Sequence, residues 1–176
     1  MDRPGYPNGY TTVLAYMGNF DGDGHTINLD VTNLDNYDNT DGFGLFAKTD
    51  CPYIKNLHIS GQVISNEANT GLFVGGNGSW DHLYNCSSDA TLTLYGSGDF
   101  KSGAFIGHSN HPTVENCHFT GKIIGDDPSI PDDRDDGTTI TAVGGFVGEF
   151  AGSDGGESMK NCCFAPSEIK QDLPDK

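Results

Sequence analysis

Short segments in which apolar and polar residues alternate recur along the chain, and turn residues separate them. Residues 27–31 read Ile-Asn-Leu-Asp-Val, and residues 57–63 place Leu, Ile, Gly and Val at every second position. A period of two residues is typical of β-strands that bury one face. The pattern predicts an all-β chain of short strands, with an entering segment at residues 1–17 and a flexible polar tail at 170–176.

A two-part unit occurs four times in the chain. Its first part is a glycine-rich core around a phenylalanine, and its second part, after a loop, is an apolar-x-Asn-apolar step. Repeats 1 to 4 begin with the cores at Gly44, Gly71, Gly103 and Gly144, and their steps begin at Ile54, Leu83, Val114 and Met159. Repeats whose length varies through loop insertions are typical of solenoids. We therefore predict a single parallel β-helix domain at residues 18–169, with about four to five coils.

The asparagine of each step is predicted to form a corner. Ile54 and Leu57 are three residues apart, so a straight strand cannot turn both inward. A corner between them resolves this, because asparagine tolerates the left-handed conformation that a corner needs. Stacked corners would join their side-chain amides in a structural ladder. The four residues are Asn56, Asn85, Asn116 and Asn161.

The phenylalanine of each core is predicted to face inward and to contribute to one aromatic stack. The opposite phase of the second core, with Leu72 and Val74 inward, stays open at this stage. The four phenylalanines are Phe46, Phe73, Phe105 and Phe146.

Three of the five cysteines follow the corner asparagine of successive repeats. We predict that Cys86, Cys117 and Cys162 are reduced thiols stacked in the interior. Parallel in-register side chains do not readily reach the torsion of a disulfide. Cys163 is expected to face outward and Cys51 to be partly exposed. The alternative is a Cys86–Cys117 disulfide.

The opening and the repeats resemble a known family. Residues 18–27, Gly-Asn-Phe-Asp-Gly-Asp-Gly-His-Thr-Ile, resemble the segment that precedes GLUG-type repeats, and Gly-Leu-Phe-Val-Gly and Ile-Lys-Asn-Leu resemble the repeats themselves. Such repeats occur in large bacterial surface and secreted proteins, including segments attached to IgA-specific metallopeptidases and adhesin-like proteins. The resemblance covers residues 18–169 and implies a right-handed β-helix of the pectate-lyase-like class. The chain departs from the pattern by its cysteines and by an insert at residues 126–139, and it lacks the His-Glu-x-x-His motif of a peptidase.

Charge restricts the partners that the sequence suggests. The chain carries 25 acidic residues against 9 lysines and arginines, a net charge of −16. This balance argues against nucleic acid and anionic membrane surfaces, which attract basic patches. The sequence has no apolar run long enough to span a membrane, so we expect no membrane insertion. No signal peptide is recognisable, yet the resemblance implies an extracellular or cell-surface location and a larger parent chain.

Acidic clusters are the candidate metal sites. The insert carries six aspartates within eleven residues, and clustered carboxylates are what Ca²⁺ requires. Their spacing matches no EF-hand loop, so a solvated loop is the competing interpretation. The six residues are Asp126, Asp127, Asp132, Asp133, Asp135 and Asp136. Asp21 to Gly24 resembles half of a calcium loop but also forms the turn of the family's opening. No cofactor is expected from the sequence, with Ca²⁺ as the alternative.

Aromatic and histidine residues are the other candidates. Trp80, Tyr84 and Tyr95 could form a platform for sugar rings, or could pack as ordinary loop residues. His108 and His111 could hold a metal together with an outside ligand, or could be isolated surface residues.

Three functions follow from these observations. The first is a non-catalytic structural or adhesive module of a larger bacterial surface protein. The second is a carbohydrate-binding β-helix that uses loops 77–84 and 126–139 to contact a glycan or host surface. The third is a polysaccharide lyase or hydrolase, which is disfavoured because no strand pairs outward aspartates and both arginines lie in predicted loops.

Overall fold

The computed structural model describes residues 15–33, 42–67, 69–76, 79–95, 101–125, 143–151 and 156–171. Within these ranges the regular structure consists of twenty β-strands, with no helix. The strands are β1 (Asn19–Asp21), β2 (Thr26–Asn33), β3 (Phe46–Lys48), β4 (Tyr53–Lys55), β5 (His58–Ser65), β6 (Asn69–Gly71), β7 (Val74–Gly76), β8 (His82–Tyr84), β9 (Ser87–Ser88), β10 (Thr91–Leu94), β11 (Lys101–Gly103), β12 (Ile106–Ser109), β13 (Thr113–Glu115), β14 (His118–Phe119), β15 (Lys122–Gly125), β16 (Val143–Gly144), β17 (Val147–Phe150), β18 (Ser158–Lys160), β19 (Cys163–Phe164) and β20 (Glu168–Gln171).

The strands form four sheets, and each pairing between the described strands is parallel. Sheet I has the order β1-β4-β8-β13-β18, and sheet II joins β19-β14-β9-β5-β10-β15-β20 with β2 paired to β5. Sheet III has the order β16-β11-β6, and sheet IV has the order β17-β12-β7-β3. The prediction of an all-β chain with parallel strands is therefore confirmed.

Successive repeats contribute neighbouring strands to each sheet. In sheet I, Ile54 pairs with Leu83, Leu83 with Val114, and Val114 with Met159, so equivalent residues of the four steps lie in register. The first three of these side chains are almost completely buried. Each fully buried side chain of this size contributes about 1.5–3 kcal/mol to the free energy of unfolding. The repeat pattern of the sequence thus corresponds to columns of packed residues in the core.

The corner asparagines adopt the conformation that the sequence pattern predicts. Asn56, Asn85, Asn116 and Asn161 have φ values of 52°, 53°, 54° and 52°. The side-chain amide of Asn85 donates to Asn56 Oδ1 at 2.7 Å, and that of Asn161 donates to Asn116 Oδ1 at 3.1 Å. Asn56 in turn donates to Asp21 Oδ1 at 3.0 Å, so a carboxylate ends this ladder.

Phe73 faces inward as predicted, but the two residues of the opposite phase are buried as well, so the two phases are not alternatives. Leu72, Phe73 and Val74 are each 0% exposed. The chain bends between β6 and β7, so three consecutive residues point into the core, which a straight strand does not allow. Gly71 permits this bend, since a Cβ there would lie 2.3 Å from the Val74 carbonyl oxygen.

The aromatic stack includes three of the four predicted phenylalanines. The rings of Phe73 and Phe105 stack at 4.6 Å, and Phe146 lies tilted against Phe105 at 4.9 Å. The prediction is wrong for Phe46, whose register partner is Val74 and not Phe73. Its ring stacks on Tyr16 at 4.6 Å, so the first core packs against the entering segment.

All five cysteines are free. Cys86 and Cys117 are buried, Cys162 is partly buried, and Cys51 and Cys163 are exposed. The thiols of the inner three donate to backbone carbonyls of sheet I, for example Cys117 to Glu115 at 3.2 Å and Cys162 to Val114 at 3.3 Å. Cysteine in place of an aliphatic residue therefore adds weak hydrogen bonds to the packing of the corner.

Candidate ligand-binding face

The outer face of sheet I carries two columns of side chains that alternate with the buried column. Residues of the first outer column precede the buried residue of each strand, and those of the second outer column follow it. The first outer column is Asn19, Tyr53, His82, Thr113 and Ser158, and the second is Asp21, Lys55, Tyr84, Glu115 and Lys160. This alternation follows from the period of two in a β-strand.

A groove of about 340 Å³ lies across the middle of this face. We call it the aromatic groove, and it is lined by Tyr53, Lys55, His82, Leu83, Tyr84, Thr113 and Glu115. Tyr53 is 53% exposed and Tyr84 is 47% exposed, although both belong to regular strands. The groove therefore presents aromatic surface to solvent on a floor of paired β-strands.

Ring stacking orients one wall of the groove. Tyr53 and His82 are register partners, and their rings stack at 4.5 Å with an interplanar angle of 4°. Tyr84 is in register with Lys55 on one neighbouring strand and with Glu115 on the other. An exposed phenol ring thus lies between a cationic donor and an anionic acceptor.

The charges along the second outer column are paired. Lys55 Nζ lies 3.0 Å from Asp21 Oδ2, and Lys160 Nζ lies 3.5 Å from Glu115 Oε1. The Asn56 amide, Lys55 and the Asp23 backbone N–H hold the pKa of Asp21 at about 2. Exposed pairs of this kind contribute only about 0–1 kcal/mol to stability. Their main consequence is a face that carries both signs of charge in balance.

Two of the three aromatic residues expected to bind sugar have other environments. Tyr95 is only 2% exposed, so its assignment to a platform is corrected: its ring packs inside the protein. Trp80 is 43% exposed, but its ring stacks on His111 at 4.3 Å. A Cβ added to Gly156 would lie 2.8 Å from the Trp80 ring, so the indole reaches from repeat 2 to repeat 4. Tyr84 is the residue of the predicted set that lines the groove.

Sequence reasoning missed Tyr53 and His82 as partners of Tyr84. Each of them immediately precedes the apolar residue that starts a step, as do Thr113 and Ser158. Aligning that position across the four repeats would have predicted one outward column containing Tyr53 and His82.

The candidate metal residues that the structure describes are not assembled into a site. Within the ranges that the structure describes, no cluster of three or more His, Cys, Asp or Glu side chains could hold a metal ion. Asp21 accepts hydrogen bonds from Asn56 and from the Asp23 backbone, so the opening turn serves the asparagine ladder. His108 is buried, and His111 packs on Trp80 with Nδ1 3.3 Å from Glu157 Oε1. The six aspartates of the insert lie outside the described residues.

A Ser-His-Asp arrangement lies on the outer face of sheet II. Ser87 Oγ is 2.8 Å from His58 Nδ1, and Asp89 Oδ1 is 3.2 Å from His58 Nε2. Acyl transfer also needs free donors for the developing oxyanion. The backbone N–H groups of Ser87, Asp89 and His118 instead donate to carbonyls of the neighbouring strands, at 3.0, 3.3 and 3.1 Å. The contacts fit a surface hydrogen-bond network better than a nucleophilic site.

A buried carboxyl group, that of Asp81, lies immediately before β8. Asp81 is 0% exposed, and it accepts a hydrogen bond from the hydroxyl of Thr49, which is also buried. Burial raises the pKa of Asp81, although the hydroxyls of Ser109 and Thr49 partly offset this effect. Thr49, Asp81 and Ser109 belong to repeats 1, 2 and 3, so the cluster ties three repeats together beside the aromatic groove.

Comparison with known protein families, with curated proteins and with solved structures gives no match to this chain. The described residues include no helix that is long and apolar enough to cross a membrane. The function must therefore be inferred from the chain's own geometry.

Proposed function

We propose that the chain is a right-handed parallel β-helix of the GLUG-repeat type, and that it is a non-catalytic structural or adhesive module of a larger extracellular bacterial protein. The observation that carries the proposal is the strand order. Sheet I follows the chain order of the opening and the four repeats, and sheet IV follows that of the four repeats. In a β-helix, each coil adds one parallel strand to each sheet and contacts mainly its neighbours.

The last repeat supports the proposal of a larger chain. Met159, Phe164 and Ile169 occupy register positions whose partners Val114, Phe119 and Ile123 are buried, yet they are 45%, 36% and 64% exposed. Large apolar side chains in a row at a sheet edge favour a further parallel strand layer. Another repeat unit of the parent protein would bury them in the same way that repeat 4 buries those of repeat 3.

Localisation can be tested on the source bacterium with an antibody raised against the purified chain. We expect labelling of intact cells, loss of the label after protease treatment of the cell surface, and an immunoblot band well above 18.8 kDa. A band at 18.8 kDa in the cytosolic fraction alone would refute the proposal. Crystallography of the chain tests the β-helix and its handedness separately.

Carbohydrate binding is the second candidate function, and the exposed Tyr53 and Tyr84 favour it. Aromatic faces that stay exposed on a rigid sheet are suited to the apolar faces of sugar rings. A glycan array probed with the folded chain tests this function, and a blank array would remove it. Reducing-sugar and unsaturated-product assays on acidic polysaccharides test the lyase or hydrolase alternative, for which we expect no product.

A further inference from the structure

We propose that the aromatic groove is a binding site for a neutral glycan, with one pyranose ring stacked on Tyr84. The inference rests on the carbohydrate-binding function proposed above, and it adds the position and the charge class of the ligand. It moves the expected site from loops 77–84 and 126–139 to the strands of sheet I.

The aromatic surface determines where the sugar ring lies. Tyr84 and Tyr53 each leave about half of their surface exposed, while Leu83 between them in the floor is 1% exposed. The stack of Tyr53 on His82 holds one ring in place before any ligand arrives. Preformed aromatic surface lowers the conformational cost of binding. The volume of the groove lies in the range of about 300–1,000 Å³ that is common for small-ligand sites.

The polar groups around Tyr84 match the hydroxyls of a pyranose. Lys55 and Glu115 lie on the two neighbouring strands, each about 4.8 Å from the strand of Tyr84. An ammonium group only donates hydrogen bonds, and a carboxylate only accepts them. Hydroxyls around a stacked ring do both, so one edge of the sugar can donate to Glu115 while the other accepts from Lys55. The hydroxyl of Thr113 adds a further donor and acceptor.

Charge selects a neutral ligand over an anionic one. The cation and the anion that border Tyr84 are each already paired, with Asp21 and Lys160. The face therefore has no unbalanced positive charge for a uronate or a sulfate ester. The net charge of −16 repels polyanions from the molecule as a whole.

A proline-rich peptide is the other ligand that aromatic grooves accept. The flanking Lys55 and Glu115 favour the sugar, because a polyproline ligand offers carbonyl acceptors but no side-chain donor for the carboxylate. The experiment below includes this peptide as an outcome that would overturn the proposal.

The test is isothermal titration of the whole chain with soluble hexasaccharides. The neutral probes are built from glucose, mannose, galactose and N-acetylglucosamine, the anionic probe is hexagalacturonate, and the peptide probe is decaproline. We expect saturable binding of at least one neutral hexasaccharide and none of the anionic probe or the peptide. Binding of no neutral probe, or stronger binding of either hexagalacturonate or decaproline, would overturn the inference.

Variants then locate the site. Tyr84→Ala should raise the Kd of the bound hexasaccharide by at least about tenfold, whereas Tyr84→Phe, which keeps the ring, should change it less than about threefold. Glu115→Gln should weaken binding, since it removes the charged acceptor beside the ring. The matched control is Phe150→Ala, which removes an aromatic side chain that is 46% exposed on sheet IV and should leave the Kd unchanged. Equal affinity of Tyr84→Ala and the unmodified chain would place the ligand elsewhere.

Circular dichroism and thermal melting show whether each variant is folded. With folded samples, the pattern of bound probes separates this inference from the function on which it rests. Exclusive binding of hexagalacturonate would leave carbohydrate binding intact but refute the neutral ligand. A folded chain that binds no probe would refute the groove and leave the repeat-module function standing.

Discussion

Asn85 donates a side-chain hydrogen bond of 2.7 Å to Asn56, its equivalent in the preceding repeat, and both residues adopt the left-handed conformation. The bond joins two corners that are 29 residues apart in the chain. The asparagine at this position thus turns the chain through its backbone and links neighbouring repeats through its side chain.

Asn85→Ala should therefore destabilise the chain more than Asn85→Gly. Alanine at φ 53° carries a left-handed strain of about 1–2 kcal/mol, which glycine avoids. Both variants lose the side-chain hydrogen bond to Asn56, so their difference isolates the backbone conformation. Urea denaturation should show the glycine variant to be more stable by about 1 kcal/mol. Equal stabilities would mean that the corner does not need a left-handed residue.

The inward aromatic stack makes a second prediction. Phe105 is 0% exposed and lies between Phe73 and Phe146, so Phe105→Ala should lower the free energy of unfolding by about 3–5 kcal/mol. Phe150→Ala is the control on an exposed ring and should change it by less than about 0.5 kcal/mol. Similar losses in the two variants would contradict the stack.

The local sequence pattern predicted the corner at Asn56. Ile54 and Leu57 are three residues apart, so both can be buried only if the chain turns between them. The pattern could not predict the register between repeats. Phe43 pairs with Thr70, but Phe46 pairs with Val74, so repeat 1 has one residue fewer in the bend and Phe46 leaves the aromatic column. The ring of Phe46 instead stacks on Tyr16, a residue that the repeat motif does not contain.

The candidate site was less predictable than the fold for the same reason. Tyr53 and His82 become neighbours only when β4 and β8 align, and the buried Asp81 meets its partner Thr49 only when two repeats stack. In the sequence, Asp81 follows Ser79 and Trp80 and reads as part of a solvated loop. Contacts between repeats, rather than the local pattern, give both residues their properties.

Asp81 should make the stability of the chain depend on pH. Because burial raises the pKa of Asp81 above its value in the unfolded chain, its ionisation opposes folding, and stability is lost as the pH rises through the folded pKa. Asp81→Asn keeps an oxygen that can accept from Thr49 but cannot ionise. We expect the variant to gain melting temperature relative to the unmodified chain at pH 7 and to gain much less at pH 4.

The control for this prediction is Asp89→Asn, whose carboxyl is exposed on sheet II. It should not reproduce the pH-dependent gain. If Asp81→Asn lowered the melting temperature equally at both pH values, the hydrogen-bond geometry would outweigh the cost of the buried charge.

The cysteines should separate into reactive and protected groups in a titration with a thiol reagent. Cys163 and Cys51 are exposed, Cys162 is partly buried, and Cys86 and Cys117 are enclosed. In native buffer at pH 8 we expect two accessible thiols, with Cys163 the faster. Partial desolvation of the exposed Cys51 thiol and its hydrogen bond to Asp50 raise the pKa of Cys51, which reduces the reactive thiolate.

Substitutions assign these phases to residues. Cys163→Ser should remove the fastest phase, and Asp50→Asn should accelerate Cys51, because it removes the carboxylate that opposes the thiolate. Contact with Cys86 and burial raise the pKa of Cys117, so these two inner thiols should react only as the chain opens. Denaturation without reductant should release all five thiols. A count of three in denaturant would reveal a disulfide, most simply between Cys86 and Cys117, and would contradict the column of reduced thiols.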